Sequence, residues 1–132
     1  MDLFNKLKNM KILLIDDDEW IRDSLSLFFE GEGCQLKALE TAEEGLKILK
    51  NENYDIIIAD YRLPDMDGIE LLKRIQGHNS NAFKILITAY GSKELLSKAK
   101  EAGIHDFIEK PFTSETIEES LSKLIKKSEQ RI

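Results

Sequence analysis

Five short apolar-rich runs alternate along this chain with longer stretches in which apolar residues recur every three or four positions. The runs are "KILLI" (Lys11–Ile15), "CQLKAL", "YDIIIAD", "AFKILIT" and "HDFIEK". Their lengths and the turn residues around them predict strands. The stretches between them predict helices. In "DEWIRDSLSLFFEGEG", Ile21, Leu25 and Phe28 fall at i, i+4 and i+7, and Gly31 and Gly33 stop the helix. "TAEEGLKILKNEN" opens on Thr41 with Glu44 three residues on, a capping-box pattern, and Ala42, Leu46 and Leu49 form its apolar stripe. "DGIELLKRIQG" puts Ile69, Leu72 and Ile75 on one side and ends at Gly77. "SKELLSKAKEAG" stops at Gly103, and "TSETIEESLSKLIKKSEQ" turns Ile117, Leu121, Leu124 and Ile125 inward.

The order is a βα unit repeated five times. The middle strands are apolar at successive positions rather than alternating, which marks strands covered on both faces. With short links, this predicts a doubly wound α/β sandwich around a parallel sheet, not a barrel. Ligands of such sheets bind beyond the carboxyl ends of the strands, so the chemistry is sought where each run stops. The first run stops at Asp16, Asp17 and Asp18, the third at Asp60, the fourth at Thr88 and the fifth near Lys110 and Pro111. The second ends in nothing reactive.

Composition narrows the function. A chain of 132 residues with 42% hydrophobic and 33% charged residues suits one globular domain with its own core. A net charge of −6, with no Lys/Arg cluster that outweighs the acids, argues against direct nucleic-acid contact. Apolar runs of about five residues fall far short of the roughly 20 that cross a bilayer, so neither a membrane partner nor a signal peptide is expected. A single cysteine, Cys34, cannot form an internal disulfide; it fits a reducing cytoplasm and reads as a small buried filler. The domain is expected over residues 10–128, with 129–132 as a tail. Residues 1–9 read as a short helical extension, an appended leader or a disordered segment.

Carboxylates crowded at one edge repel, so one must hold a proton or a cation must bind. Oxygen ligands of this kind suit Mg2+ (or Mn2+). An ionised Asp60 beside such an ion is a nucleophile toward a phosphoryl group. Lys110 supplies a charge, Thr88 a hydroxyl and the Thr88–Ala89 backbone an amide for the oxygens of that group.

The stretches "LLIDDDEW", "DYRLPDMDG", "ILITAY" and "FIEKPF" resemble, in order and spacing, the four signatures of the response-regulator receiver domain of two-component signalling. The resemblance runs from about Met10 to Ser128. It implies a flavodoxin-like (βα)5 fold with strand order 2-1-3-4-5. It implies Asp60 as phosphoacceptor, and Asp16, Asp17, Asp60 and the backbone carbonyl of Arg62 as the metal site. Thr88 is then the switch hydroxyl, Phe107 the switch aromatic and Lys110 the phosphate-binding lysine, with Lys110–Pro111 as a cis bond. Arg62 and Tyr90, two residues beyond Asp60 and Thr88, are implied to tune how fast water removes the phosphoryl group. The implied partner is a sensor histidine kinase or histidine phosphotransferase. The implied output is a shift of the helix after the fourth strand, the last strand and the last helix, with a homodimer through those last two helices left open.

Some positions depart from that pattern or allow two readings. Asp18 adds a third acid and reads as a helix N-cap. Phe107 has no hydroxyl, so a switch there works by packing. Asp65 and Asp67 read as turn and cap residues, with Gly68 opening the next helix. Trp20 and Leu27 either edge the core or form an apolar docking patch for the phosphodonor. His78 and His105 read as surface histidines, and Lys126–Lys127 as a solvated helix end. Two rivals remain open: a receiver that binds partners without phosphate, and a haloacid-dehalogenase-type phosphatase. The latter shares the D-x-D of Asp16–Asp18, but carries threonine or valine where this chain has Trp20.

Overall fold

A computed structural model of the chain describes residues 3–75, 79 and 81–129. Ahead of the five βα units stands a short helix, α1 (Leu3–Leu7). The units follow as β1 (Lys11–Ile15), α2 (Glu19–Gly31), β2 (Gln35–Leu39), α3 (Ala42–Asn51), β3 (Ile56–Asp60) and α4 (Gly68–Arg74). They finish with β4 (Phe83–Thr88), α5 (Lys93–Glu101), β5 (Asp106–Glu109) and α6 (Ser114–Glu129). All strand pairings are parallel, and the sheet runs β2-β1-β3-β4-β5. The expected helix stop at Gly77, the expected surface position of His78 and the last three tail residues lie outside the described residues.

The solid apolar runs explain the layering. Residues of β1, β3 and β4 alternate between two cores. Leu13, Ile15, Ile57, Ala59 and Leu86 pack with α3, α4 and α5. Ile12, Leu14, Ile56, Ile58, Ile85 and Ile87 pack with α1, α2 and α6. β3 is buried at all five positions because it has a strand on each side and helices on both faces. β2 is an edge strand and keeps Gln35 and Lys37 exposed.

The helix starts follow from local chemistry. Asp18 caps α2, its carboxylate accepting from the amides of Trp20 at 2.9 Å and Ile21 at 3.4 Å. Thr41 and Glu44 form the expected capping box on α3. Asp67 caps α4 and Ser92 caps α5. On α6 the inward residues are the four expected, joined by Ser120. Ser120 is buried because its hydroxyl donates to Asp106 Oδ2 at 2.5 Å.

Packing bears on two readings left open. Within the expected extension, Leu3–Leu7 form a helix whose Leu7 is fully buried and whose Phe4 meets Phe28 edge-to-face. Trp20 and Leu27 do not edge the core; they are 78% and 72% exposed. The buried residues of α2 are Leu25 and Phe29. At about 100° per residue, Trp20 and Leu27 lie roughly 160° and 180° from the middle of that pair.

Candidate functional site

Four parallel strands deliver their last residues to one edge of the sheet. Asp60 ends β3, Thr88 ends β4, Asp16 directly follows β1 and Lys110 directly follows β5. Asp16 is fully buried, Asp60 is 5% exposed and Asp17 is exposed at the rim. Carboxylate oxygens of these three acids lie within 4.8 Å of one another. Lys110 Nζ reaches over them, 3.1 Å from Asp60 Oδ2 and 3.2 Å from Asp16 Oδ2. The Lys110–Pro111 bond is cis.

The electrostatics show strain between the acids. Burial is the largest influence on Asp16 and, with the neighbouring charge of Asp60, raises its pKa to about 6; the Asp18 amide and Lys110 work the other way. Asp60 is also raised, first by burial and then by Asp17, against the lowering effects of Lys110 and the Arg62 amide. Lys110 loses hydration, its largest single effect, yet the charges of Asp16 and Asp60 still raise it. One lysine therefore serves two buried acids, with a third, Asp17, at the rim. Asp16 Oδ1 accepts the Asp18 amide at 2.9 Å, but Asp16 Oδ2 is buried with no aligned hydrogen-bond donor. A buried carboxylate oxygen whose near cation is shared with Asp60, in a group of three acids with oxygens within 4.8 Å of one another, is a donor set that fits a small hard divalent cation.

Around this centre the remaining expected residues fall close together. The Thr88 hydroxyl is engaged in its own turn, accepting from the Tyr90 amide at 3.2 Å and lying 3.3 Å from the Tyr90 carbonyl, to which it donates. Tyr90 is 74% exposed, and the Arg62 guanidinium sits 5.9 Å from its ring centroid. Phe107 is half-buried against the core on the α5 side. Ala89 and Lys110 lie at one end of a groove of about 510 Å³ between α2 and the β5–α6 loop, whose walls include Trp20, Ile21, Phe28, Pro111 and Phe112.

Several supporting residues escaped the sequence reading. Arg22 donates to the Asp16 carbonyl at 2.9 Å and holds the acidic loop. A Cβ on Gly68 would collide with the Asp60 carbonyl oxygen, so only glycine lets α4 start this close to β3. Asn79, in the left-handed region at φ 57°, joins distant loops by accepting from the Tyr54 amide at 2.6 Å and donating to the Leu49 carbonyl at 3.1 Å. Asp65 caps a helix, but that helix is α3 rather than the one following it. His105 is at the surface as expected, and its Nδ1 accepts the Lys84 amide at 3.0 Å.

A sequence model of the response regulator receiver domain matches residues 12–122. The chain belongs to that family. Among curated receiver relatives it is 34% identical over 119 residues to sporulation initiation phosphotransferase F of Bacillus subtilis (strain 168), covering 90% of this chain and 96% of that protein. It is 33% identical over 125 residues to chemotaxis protein CheY-3 of Vibrio cholerae, covering 91% and 95%. Against the transcriptional regulatory protein FixJ of Bradyrhizobium diazoefficiens it is 32% identical, and the match spans 89% of this chain but only 58% of FixJ. Among solved structures, the CheY-like receiver domain protein from Methanospirillum hungatei JF-1 superposes with a TM-score of 0.79 at 35% identity, covering 89% of this chain and 98% of that one. The non-phosphorylated HemR receiver domain from Leptospira biflexa gives 0.82 at 26% identity, covering 89% and 94%. Receiver domains are phosphoacceptor signalling domains that typically bind Mg2+ in an acidic pocket, and Asp16, Asp17 and Asp60 form such a pocket here. Among the described residues no helix is long and apolar enough to cross a membrane.

Proposed function

We propose that this receiver takes a phosphoryl group from a sensor histidine kinase or histidine phosphotransferase onto Asp60 and passes the signal through the α5–β5–α6 face. The observation that carries the proposal is the setting of Asp60: a buried carboxylate at a strand end, 3.1 Å from Lys110 Nζ and beside two further acids. An Asp60 oxygen attacks phosphorus, the P–N bond to the donor imidazole breaks, and the donor nitrogen keeps the electron pair. Lys110, the Thr88 hydroxyl and the Ala89 amide receive the phosphoryl oxygens. Asp16, Asp17, Asp60 and the Arg62 carbonyl would hold Mg2+ or Mn2+. The ion's contribution is to neutralise the acids and the incoming oxygens so that Asp60 reacts in its ionised form.

Once the Thr88 hydroxyl turns toward a phosphoryl oxygen, its bonds to Tyr90 are lost and the β4–α5 loop moves. Phe107, lacking a hydroxyl, follows by packing into the space released, and α5, β5 and α6 shift; dimerisation through α5 and α6 is one readout of that shift. Arg62 and Tyr90, two residues beyond Asp60 and Thr88 and both exposed, set how fast water reaches the acyl phosphate. The apolar groove beside Trp20 docks the phosphodonor, because it opens directly onto Lys110. The protein acts in the cytoplasm, without direct contact to nucleic acid. Its only catalysis is on itself: phosphotransfer and autodephosphorylation.

Incubation with acetyl phosphate and a magnesium salt, followed by phosphate-affinity electrophoresis, tests the proposal. A retarded species that base treatment removes is the expected result. Rapid phosphate release with no retarded species would mark a hydrolase, and neither would mark a receiver that works without phosphate.

A further inference from the structure

The loop of residues 61–67 carries both Arg62 and the segment that leads from Asp60 into α4. It is fixed at its base: the Tyr61 amide donates to the Ile87 carbonyl at 2.7 Å, the Gly68 amide to the Tyr61 carbonyl at 2.7 Å, and the backbones of Arg62 and Asp67 pair in a single antiparallel β-bridge. The Arg62 amide lies close enough to the Asp60 carboxylate to oppose the rise that burial imposes on its pKa. What holds the far side of the loop is a helix that belongs to another βα unit.

The first turn of α3 has amides without intrahelical acceptors. Its capping box takes two of them. The Glu44 amide donates to Thr41 Oγ1 at 3.2 Å, and the Thr41 amide to Glu44 Oε1 at 3.2 Å. The amides of Ala42 and Glu43 are left over. Asp65 accepts both, Oδ1 from Ala42 at 3.0 Å and Oδ2 from Glu43 at 2.8 Å. The carboxylate thus forks onto the positive end of a helix dipole more than twenty positions away in sequence. The capping box already secures the start of α3, so what the fork adds is a tie between that helix and the loop.

We infer that Asp65 is a positioning residue of the phosphoacceptor site: its fork onto α3 holds the 61–67 loop so that the Arg62 backbone stays beside Asp60. The inference rests on the proposed role of Asp60 and the acidic pocket. Asp65 touches neither metal nor phosphoryl group; it fixes the loop that does. Removing it lets the loop drift, which weakens Mg2+ binding and leaves the nucleophile itself intact.

Mg2+ affinity, measured by titration calorimetry on the full chain, separates this role from simple helix capping. Asp65→Ala is expected to raise the Mg2+ dissociation constant about tenfold, the lower end of what loss of a ligand-orienting group costs. Its labelling by acetyl phosphate should be slowed at low Mg2+ and recover at saturating Mg2+. Asp65→Asn keeps one accepting oxygen and should fall between it and the wild type. Thr41→Ala is the control: it removes the capping box from the same helix, lowers the melting temperature by about 3 °C, and should leave Mg2+ affinity within about twofold. If Asp65→Ala melts earlier but binds Mg2+ like the wild type, or if Thr41→Ala weakens Mg2+ as much, the inference fails and Asp65 is only a cap. A wild-type chain that takes no label would sink the role of Asp60 together with the inference, whereas a labelled wild type with an indifferent Asp65→Ala sinks the inference alone.

Discussion

Asp16 is the residue most at odds with its surroundings, fully buried with one carboxylate oxygen lacking an aligned donor. Its pKa, raised by burial to about 6, fixes a pH dependence. Below pH 3.8 the folded and unfolded chains both hold the proton. Between there and about 6 the unfolded chain releases it while the folded chain keeps it, so stability falls as pH rises through that window. Two pH units amount to a loss on the order of 2–3 kcal/mol. Urea titrations with chelator present should give a higher midpoint at pH 5 than at pH 7.5, and Asp16→Asn should flatten the difference. Arg62 and Tyr90 behave oppositely. Both are exposed, so Arg62→Ala or Tyr90→Ala should change stability by no more than about 0.5 kcal/mol. Decay of the label after donor removal should nonetheless differ clearly from wild type; an unchanged lifetime in both variants would remove them from any rate-setting role.

At the scale of elements, α2 divides its duties between two faces. Leu25 and Phe29 hold it to the sheet, each burial contributing about 2 kcal/mol, while Trp20 stands out in solvent beside the groove. Trp20→Ala should therefore leave the melting temperature unchanged and leave labelling by acetyl phosphate unchanged. Transfer from a phosphorylated histidine donor should slow about tenfold, as when an apolar anchor is removed from an interface. Equal transfer rates would assign the groove to something other than the donor. The sequence carried the reactive edge clearly, because Asp16, Asp60, Thr88 and Lys110 each terminate an apolar run and a parallel sheet must bring such ends together. It carried the caps Asp18, Thr41 and Asp67 because their partners lie within three residues. It hid Asp65, Asn79 and Arg22. Each looks like an ordinary turn or helix-surface residue, and the amides and carbonyls they serve lie beyond any local pattern. Trp20 was ambiguous because the helical phase depends on which of several neighbouring apolar residues anchors the core.

For the molecule as a whole, α1 is part of the packing rather than an appendage. Leu7 is fully buried, Phe4 packs edge-to-face on Phe28 of α2, and Lys6 pairs with Glu129 at 2.7 Å, tying the first helix to the last. Deleting residues 1–9 should cost about 2–5 kcal/mol, the range for emptying a buried leucine site, and lower the thermal midpoint by several degrees. Labelling at the opposite end of the sheet should persist at a temperature where the shortened chain is folded; a deletion without thermal effect would return α1 to the status of a leader. The central claim concerns one covalent bond, and intact-mass spectrometry after treatment with acetyl phosphate and Mg2+ tests it most directly. The account predicts a species heavier by one phosphoryl group, about 80 Da, in the wild-type chain and none in Asp60→Asn. No such species in the wild type, or one that persists in Asp60→Asn, would contradict it.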